Sequence, residues 1–374
     1  MLRKILCIIA CFLVVATPCN AQNIQAETSA QSAILIDLES GRAYYEKNAD
    51  AVLPMASTTK IMTALVVLES GMNLDEFFIV DSSAIAVEGS SMGLQKGDKV
   101  TLRALCYGML LPSGNDAANA AAVRVAGSIE NFCRMMNEKA RKMGLESTNF
   151  QTPSGLDDVN HHTTARELAI ITYNAMKNED FREICKCTTK AVEFGNPPYK
   201  RTLYNHNRLL RTYEGTIGVK TGFTKKSGRC LVSAVERDGV GLICVTLNAP
   251  NDWNDHKRLY NSAFDNLAQL EIEETQSQYT LKVAGGMKSS VILVPESVPT
   301  ATLFMGEISN VKKSITVLPF AYAPVRVGDV LGEVVYTLDS VELARVNLVA
   351  AEDVQRLTVK KNFFSKLLEK IINR

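Results

Sequence analysis

Histidine is scarce in this 374-residue chain. It has four, His161, His162, His206 and His256, and none stands in a G-x-S-x-G setting. That removes the commonest route to an activated serine, a neighbouring imidazole base. Excess charge of one sign is missing as well: 41 basic residues face 40 acidic ones, a net charge of +1, so nothing marks the chain as a nucleic-acid binder. Of the nine cysteines, Cys7, Cys11 and Cys19 fall in the first 21 residues. The other six, Cys106, Cys133, Cys185, Cys187, Cys230 and Cys244, lack metal-ligand spacing and form no disulfide framework. Several sit in apolar runs, where a free thiol behaves as a small hydrophobe, so buried thiols are expected. Neither metal nor cofactor is called for.

What is present begins with an export signal. Arg3 and Lys4 precede the apolar run Ile5–Ala16, and Pro18 with Cys19-Asn20-Ala21 supplies a helix break and small residues before a cut after Ala21. The alternative, an uncleaved anchor, has only a short apolar stretch to work with. The remaining length suits two domains. Residues 22–272 show strands at both ends and helices between. Ala33–Leu38 with Ser40-Gly41 reads as a hairpin; Ile61–Leu68 reads as a helix entered through Ser57 as cap. Leu102–Leu111 and Ala117–Ala126 read as further helices, and Thr164 to Glu167 as a capping box. Arg229–Glu236 and Gly241–Leu247 flank Asp238-Gly239 as a second hairpin. This predicts an α+β unit, an antiparallel sheet with a helical cluster.

After Glu271 the texture changes. Tyr279–Val283, Ser290–Val294, Thr300–Phe304, Ser314–Leu318, Leu331–Thr337 and Ala344–Leu348 alternate between turn residues. Residues 273–358 therefore read as a small all-β sandwich without a titratable constellation of its own. Residues 359–374 carry apolar pairs at Phe363/Phe364, Leu367/Leu368 and Ile371/Ile372, with Lys360, Lys361, Lys366, Lys370 and Arg374 between them. That spacing is a cationic amphipathic helix, far too short to span a bilayer and suited to the membrane interface. Docking on the protein's own surface is the alternative.

The chemistry rests on three motifs in fixed order: Ser57-Thr58-Thr59-Lys60, Ser113-Gly114-Asn115 and Lys220-Thr221-Gly222. Each is weak alone, since S-x-x-K recurs at Ser309–Lys312 and S-x-N at Ser147–Asn149. Ser57 and Lys60, three apart on a helix, share a face, so Lys60 can serve as the base for Ser57 if it is neutral. Burial, the helix start and a second cation, for which Lys220 is the candidate, all favour neutrality. The N–H of Ser57 is one candidate oxyanion donor and that of Phe223 the other. Ser113 can pass a proton to a leaving amine. Asn115 can hold a substrate carbonyl or orient Lys60. Lys220 and Thr221 offer a cation and a hydroxyl to a carboxylate. Gly222 lets an extended peptide lie against its strand.

With Pro54–Lys60, Leu110–Ala117, Phe150 with Gly155-Leu156-Asp157, and Gly218–Thr224, the chain resembles the low-molecular-mass penicillin-binding proteins, the serine-type D-alanyl-D-alanine carboxypeptidases. The resemblance implies a penicillin-binding, β-lactamase-like catalytic fold followed by the β-domain and anchor helix. It implies removal of the terminal D-alanine from peptidoglycan stem pentapeptides through an acyl-enzyme on Ser57, acylation by β-lactams, and a place on the outer face of the cytoplasmic membrane. Some members carry histidine where this chain has Phe223. His206 and Arg208 are weak candidates for holding the substrate carboxylate. Two other readings compete. A class A β-lactamase needs a deacylating glutamate, but Thr152-Pro153-Ser154-Gly155 fills that region. A non-catalytic wall-binding protein would not need the complete polar set. A labelled penicillin separates the three by persistent adduct, rapid release or no adduct.

Overall fold

A computed structural model describes residues 23–272 and 278–358. The expected signal, 1–21, and the cationic tail, 359–374, lie outside the described residues. Alternating side chains and the Ser40-Gly41 turn close a hairpin of β1 (Ser32–Asp37) and β2 (Ala43–Lys47). A 3-10 turn (Ala56–Thr59) leads into α1 (Lys60–Leu68), whose residues Lys60 to Val67 are all buried, as an all-round apolar helix must be. The short strands β3 (Phe78–Ile79) and β4 (Lys99–Val100) follow. A helical cluster comes next: α2 (Leu102–Leu110), α3 (Asn115–Ala126), α4 (Ile129–Lys142), α5 (Ala165–Met176) and α6 (Glu179–Cys185). The chain continues through β5 (Thr189–Gly195), β6 (Pro198–Tyr204), the single turn α7 (Leu209–Thr212), β7 (Thr216–Thr224), β8 (Gly228–Arg237), β9 (Val240–Leu247) and α8 (Asp252–Phe264).

The main sheet is antiparallel throughout, in the order β2-β1-β9-β8-β7. Alternation along its strands sends Ile34, Ile36, Val232, Ala234, Ile243 and Val245 into the helical cluster. Leu35, Val235, Leu242 and Cys244 face the other way, onto Leu259, Tyr260 and Ala263 of α8. The sheet therefore has helices on both faces, and β7 forms one edge. The alanines of α3 do what their density predicts: Ala117, Ala118, Ala120, Ala121 and Ala122 are buried against their neighbours. Among the described residues all six cysteines are free, and all but Cys187 are buried.

Two local expectations need correction. Ser57 is not a cap: it lies inside the 3-10 turn, where no side chain caps the backbone. The Thr164 box is half formed. Thr164 Oγ1 accepts from Glu167 N–H at 3.0 Å, but the Glu167 carboxylate turns away to accept from Glu146 and Ser147 N–H at 2.9 Å each.

The C-terminal unit is β-rich, and all six alternating runs form strands. After β10 (Leu267–Glu271) come β11 (Tyr279–Ala284), β12 (Ser290–Pro295), β13 (Thr300–Phe304), β14 (Lys312–Val317), β15 (Ala321–Tyr322), β16 (Val330–Leu338) and β17 (Val341–Ala350). Six of these make one sheet, β14-β16-β17-β12-β11-β15, while β10 pairs with β13. The strand that leaves α8 is thus already knitted to the following unit. Arg42 and Glu307 tie the units together by two hydrogen bonds of 2.7 and 2.6 Å in a buried fork, and Tyr44 donates to the Thr302 carbonyl at 2.7 Å. No described helix is long and apolar enough to cross a membrane.

Candidate active site

The eight residues singled out by sequence come together where the 3-10 turn, the α2–α3 junction and edge strand β7 meet. A cleft of about 750 Å³ opens there, with Ser57, Ser113, Thr221, Gly222 and Phe223 in its wall. Strand and turn approach closely. A β-carbon on Gly222 would stand 3.1 Å from the Met55 carbonyl and 3.2 Å from the Ser57 nitrogen. The glycine is needed by the protein's own serine turn, a different reason from the substrate contact expected of it. Ala56, with φ 49°, holds the left-handed bend just before Ser57, and Ser113, with φ 64°, does the same between α2 and α3.

Lys60 is fully buried at the floor. Its Nζ lies 2.9 Å from Ser57 Oγ, 2.7 Å from Asn115 Oδ1 and 2.5 Å from the Ser154 carbonyl oxygen. The Asn115 amide is fixed in that sense because its Nδ2 donates to the Glu88 carbonyl at 2.7 Å. Two of the three partners of Nζ are therefore pure acceptors, and the third is a hydroxyl. A neutral amine has two N–H groups and one lone pair, a set that this arrangement can match by donation to Asn115 and Ser154 and acceptance from the Ser57 hydroxyl. Burial first, then the cation of Lys220, hold the Lys60 amine well below its usual value, with Asp116 opposing them.

Lys220 is equally buried, and burial brings it down to about 7. Its Nζ donates to Ser113 Oγ at 2.9 Å and to the Thr221 carbonyl at 2.8 Å. The second serine thus belongs to Lys220 and the asparagine to Lys60, a division that the motif order does not reveal. The phenyl group of Phe223 is largely exposed at the cleft. His206 and Arg208 both line the cleft wall, and burial with the Lys220 charge lowers the imidazole of His206.

Several supporting groups escaped the motif reading. Asp116, buried beside Asn115, accepts from the N–H groups of Met92, Gly93 and Leu94 at 2.9 to 3.0 Å and so pins the segment that also supplies Glu88. On the far side, His161 accepts from Gln151 N–H at Nδ1 (3.0 Å), which leaves the proton on Nε2, 2.7 Å from Thr59 Oγ1. Thr59 in turn donates to the Ala56 carbonyl at 2.7 Å. Burial holds His161 neutral, down to about 4. Gly155, at φ +82°, completes this wall, since a β-carbon there would stand 2.0 Å from the Ala56 oxygen. Arg211, Arg229 and Trp253 also reach the cleft, Arg229 paired with Asp252 at 2.9 Å. Among the described residues no cluster has the make-up of a metal site.

A serine bonded to a buried lysine, a second buried lysine on a second serine, and an edge strand alongside define a serine acyltransferase of the penicillin-binding class. The comparisons agree. A family model described as D-alanyl-D-alanine carboxypeptidase matches residues 19–251, and one for the C-terminal domain of penicillin-binding protein 5 matches residues 272–356. The D-alanyl-D-alanine carboxypeptidase DacF of Bacillus subtilis is 31% identical over 338 residues, 87% of this chain and 86% of the relative. The D-alanyl-D-alanine carboxypeptidase DacC of Escherichia coli is 33% identical over 352 residues, 89% of this chain and 86% of the relative. The crystal structure of penicillin-binding protein 5 from Haemophilus influenzae overlays with a TM-score of 0.68 at 30% identity, covering 89% of this chain and 99% of that one. The chain belongs to the D-alanyl-D-alanine carboxypeptidase family and is a serine-type carboxypeptidase.

Proposed function

We propose that Ser57 is the acylated residue and that neutral Lys60 takes its proton. The observation that carries this is the 2.9 Å contact between a hydroxyl and a buried amine whose other two partners are acceptors only. Ser57 Oγ attacks the carbonyl carbon of the penultimate D-alanine while its proton moves to Lys60 Nζ. The developing oxyanion faces the N–H groups of Ser57 and Phe223. Collapse breaks the C–N bond, and the proton returns to the leaving nitrogen through the Ser113 hydroxyl, releasing D-alanine. Water then attacks the ester, Lys60 again takes a proton, and Ser57 is freed. Lys220 and Thr221 hold the terminal carboxylate, and Gly222 and Phe223 line the extended peptide.

The substrate in this reading is the peptidoglycan stem pentapeptide, and β-lactams acylate the same serine. The hydrogen-bond partners of Lys60 are Ser57, Asn115 and a backbone carbonyl, with no glutamate among them. That favours a long-lived penicilloyl-enzyme over β-lactamase turnover. We further propose the division 1–21 signal, 22–272 catalytic, 273–358 β-domain and 359–374 anchor. The mature enzyme then sits on the outer face of the cytoplasmic membrane, held by the alternating phenylalanines, aliphatics and lysines of its tail.

The test is release of D-alanine from a soluble pentapeptide alongside turnover of a chromogenic β-lactam by the same preparation. D-alanine release with stoichiometric β-lactam consumption supports the reading. Continuous β-lactam turnover points to a lactamase, and no reaction with either points to a binding protein.

A further inference from the structure

The chain leaves the described residues at Thr358, and the place it leaves from is unlike the rest of the β-rich unit. The last bonds before it are Val325 with Val354, Met287 N–H to the Gln355 carbonyl at 2.8 Å, and Leu357 N–H to the Gly285 carbonyl at 2.8 Å. Three segments meet at these bonds: the β11–β12 turn, β15 with the loop after it, and the final residues 352–358. Each brings large apolar side chains to the surface. Tyr322 is 75% exposed, Met287 66%, Val327 63%, Leu357 55% and Phe320 42%. Phe320 and Tyr322 meet edge to face at 5.0 Å.

These side chains come from separate elements whose backbones pair here, so their exposure together is a property of the fold rather than of one loop. The carboxylates at this end are exposed or half-buried but engaged: Asp329 Oδ2 accepts from Arg326 N–H and Asp353 Oδ1 from Val327 N–H, both at 2.8 Å, and Glu352 pairs with Lys288. Arg326 and Arg356 are exposed at the same place. An apolar knob with aromatic rings at its edge and arginines beside it has the make-up of a surface that enters a lipid interface. Directly after it in sequence comes the amphipathic tail with Lys360, Lys361, Lys366 and Lys370.

We infer that this end of the β-rich unit is a second membrane-contacting element, in which Tyr322, Phe320, Met287, Val327 and Leu357 enter the headgroup region of an anionic bilayer while the tail inserts beside them. The inference rests on the reading of residues 359–374 as an anchor. A single short amphipathic segment gives reversible binding, and two joined elements bind far more tightly because the second meets the membrane at high local concentration. Two points of contact also restrain the tilt of the unit, and through the Arg42–Glu307 and Tyr44–Thr302 bonds the direction in which the catalytic unit points.

The experiment uses the full mature chain and vesicles of phosphatidylglycerol and phosphatidylcholine. Tyr322→Trp and, as a control on the catalytic unit, Val159→Trp are each titrated with vesicles whose acyl chains carry bromine, and quenching is read as the difference from the native chain. The inference predicts quenching of the tryptophan at 322 and none at 159. It also predicts that Met287→Ser with Tyr322→Ser and Leu357→Ser weakens vesicle partition about tenfold or more without changing D-alanine release from a soluble peptide. Bound protein with an unquenched tryptophan at 322, or unchanged partition of the triple variant, overturns the inference alone. A tryptophan at 322 that is shielded without lipid and becomes exposed when the chain is cut after Thr358 shows that the tail itself covers the knob, which also overturns it. Failure of the native full chain to bind vesicles overturns the anchor reading and this inference together.

Discussion

Lys60 and Asn115, 55 positions apart, are joined by a 2.7 Å bond from Nζ to Oδ1, and the amide is locked in that orientation by its own bond to Glu88. The consequence is chemical. An amide oxygen accepts a hydrogen bond from the amine without placing a full negative charge beside it, so it opposes the lowering of the Lys60 pKa by burial less than a carboxylate would.

Asn115→Asp tests that relationship by charge alone. A carboxylate at hydrogen-bond distance favours the ammonium and raises the Lys60 pKa. The acid limb of penicillin acylation then moves to higher pH. An acid limb in the variant that coincides with the native one contradicts the neutral-amine account.

The alkaline side reports on Lys220. Its amine is brought down to about 7 by burial, so in the free enzyme it loses its proton as pH rises through that value. Capture of a substrate carboxylate needs the charged form. The ratio kcat/KM should therefore fall above about pH 7, roughly tenfold per unit. In the kcat profile the same limb lies at higher pH, because a bound carboxylate stabilises the ammonium. A pentapeptide with an amidated C-terminus should lack the limb. An identical limb with the amidated peptide would show that Lys220 does not anchor the carboxylate.

Arg42 and Glu307 make the sharpest stability prediction. Glu307→Ala leaves a buried guanidinium without its partner, and loss of one member of such a pair costs about 3–5 kcal/mol. Thermal unfolding should shift down by several degrees or more, while D-alanine release from a soluble peptide below the transition is unchanged. Unfolding at the native temperature would mean that the fork between the units contributes no net stability.

Much of this was legible in the sequence because the chemistry is carried by side chains close together in the chain. Ser57 and Lys60 lie within one short segment, Ser113 and Asn115 within another, and Lys220 to Phe223 are consecutive, so composition and order were enough to find them. Alternation placed the C-terminal strands, and all-round apolarity buried α1. What the sequence concealed falls into three kinds. The Ser154 carbonyl is a backbone group with no residue-type signature. The pairing of Ser113 with Lys220, and of Asn115 with Lys60, depends on how far the α2–α3 junction reaches across the cleft. The Arg42–Glu307 fork and the His161–Thr59 bond join positions 265 and 102 residues apart, and neither lies on a periodic pattern. Ser57 reads as a cap in the sequence because serine before an apolar helix is usually one. Here the helix is approached through a 3-10 turn, and the hydroxyl is turned to the lysine.

The account's central claim is that neutral Lys60 activates Ser57, and peptide mapping of a penicillin adduct in the native chain and in Lys60→Arg tests it most directly. Arginine keeps the charge and much of the volume but stays protonated, so it cannot accept the serine proton. The predicted result is a single stable adduct on Ser57 in the native chain and a loss of adduct formation of at least a hundredfold in rate in Lys60→Arg. An adduct on any other serine, or native acylation rates in Lys60→Arg, would contradict the account.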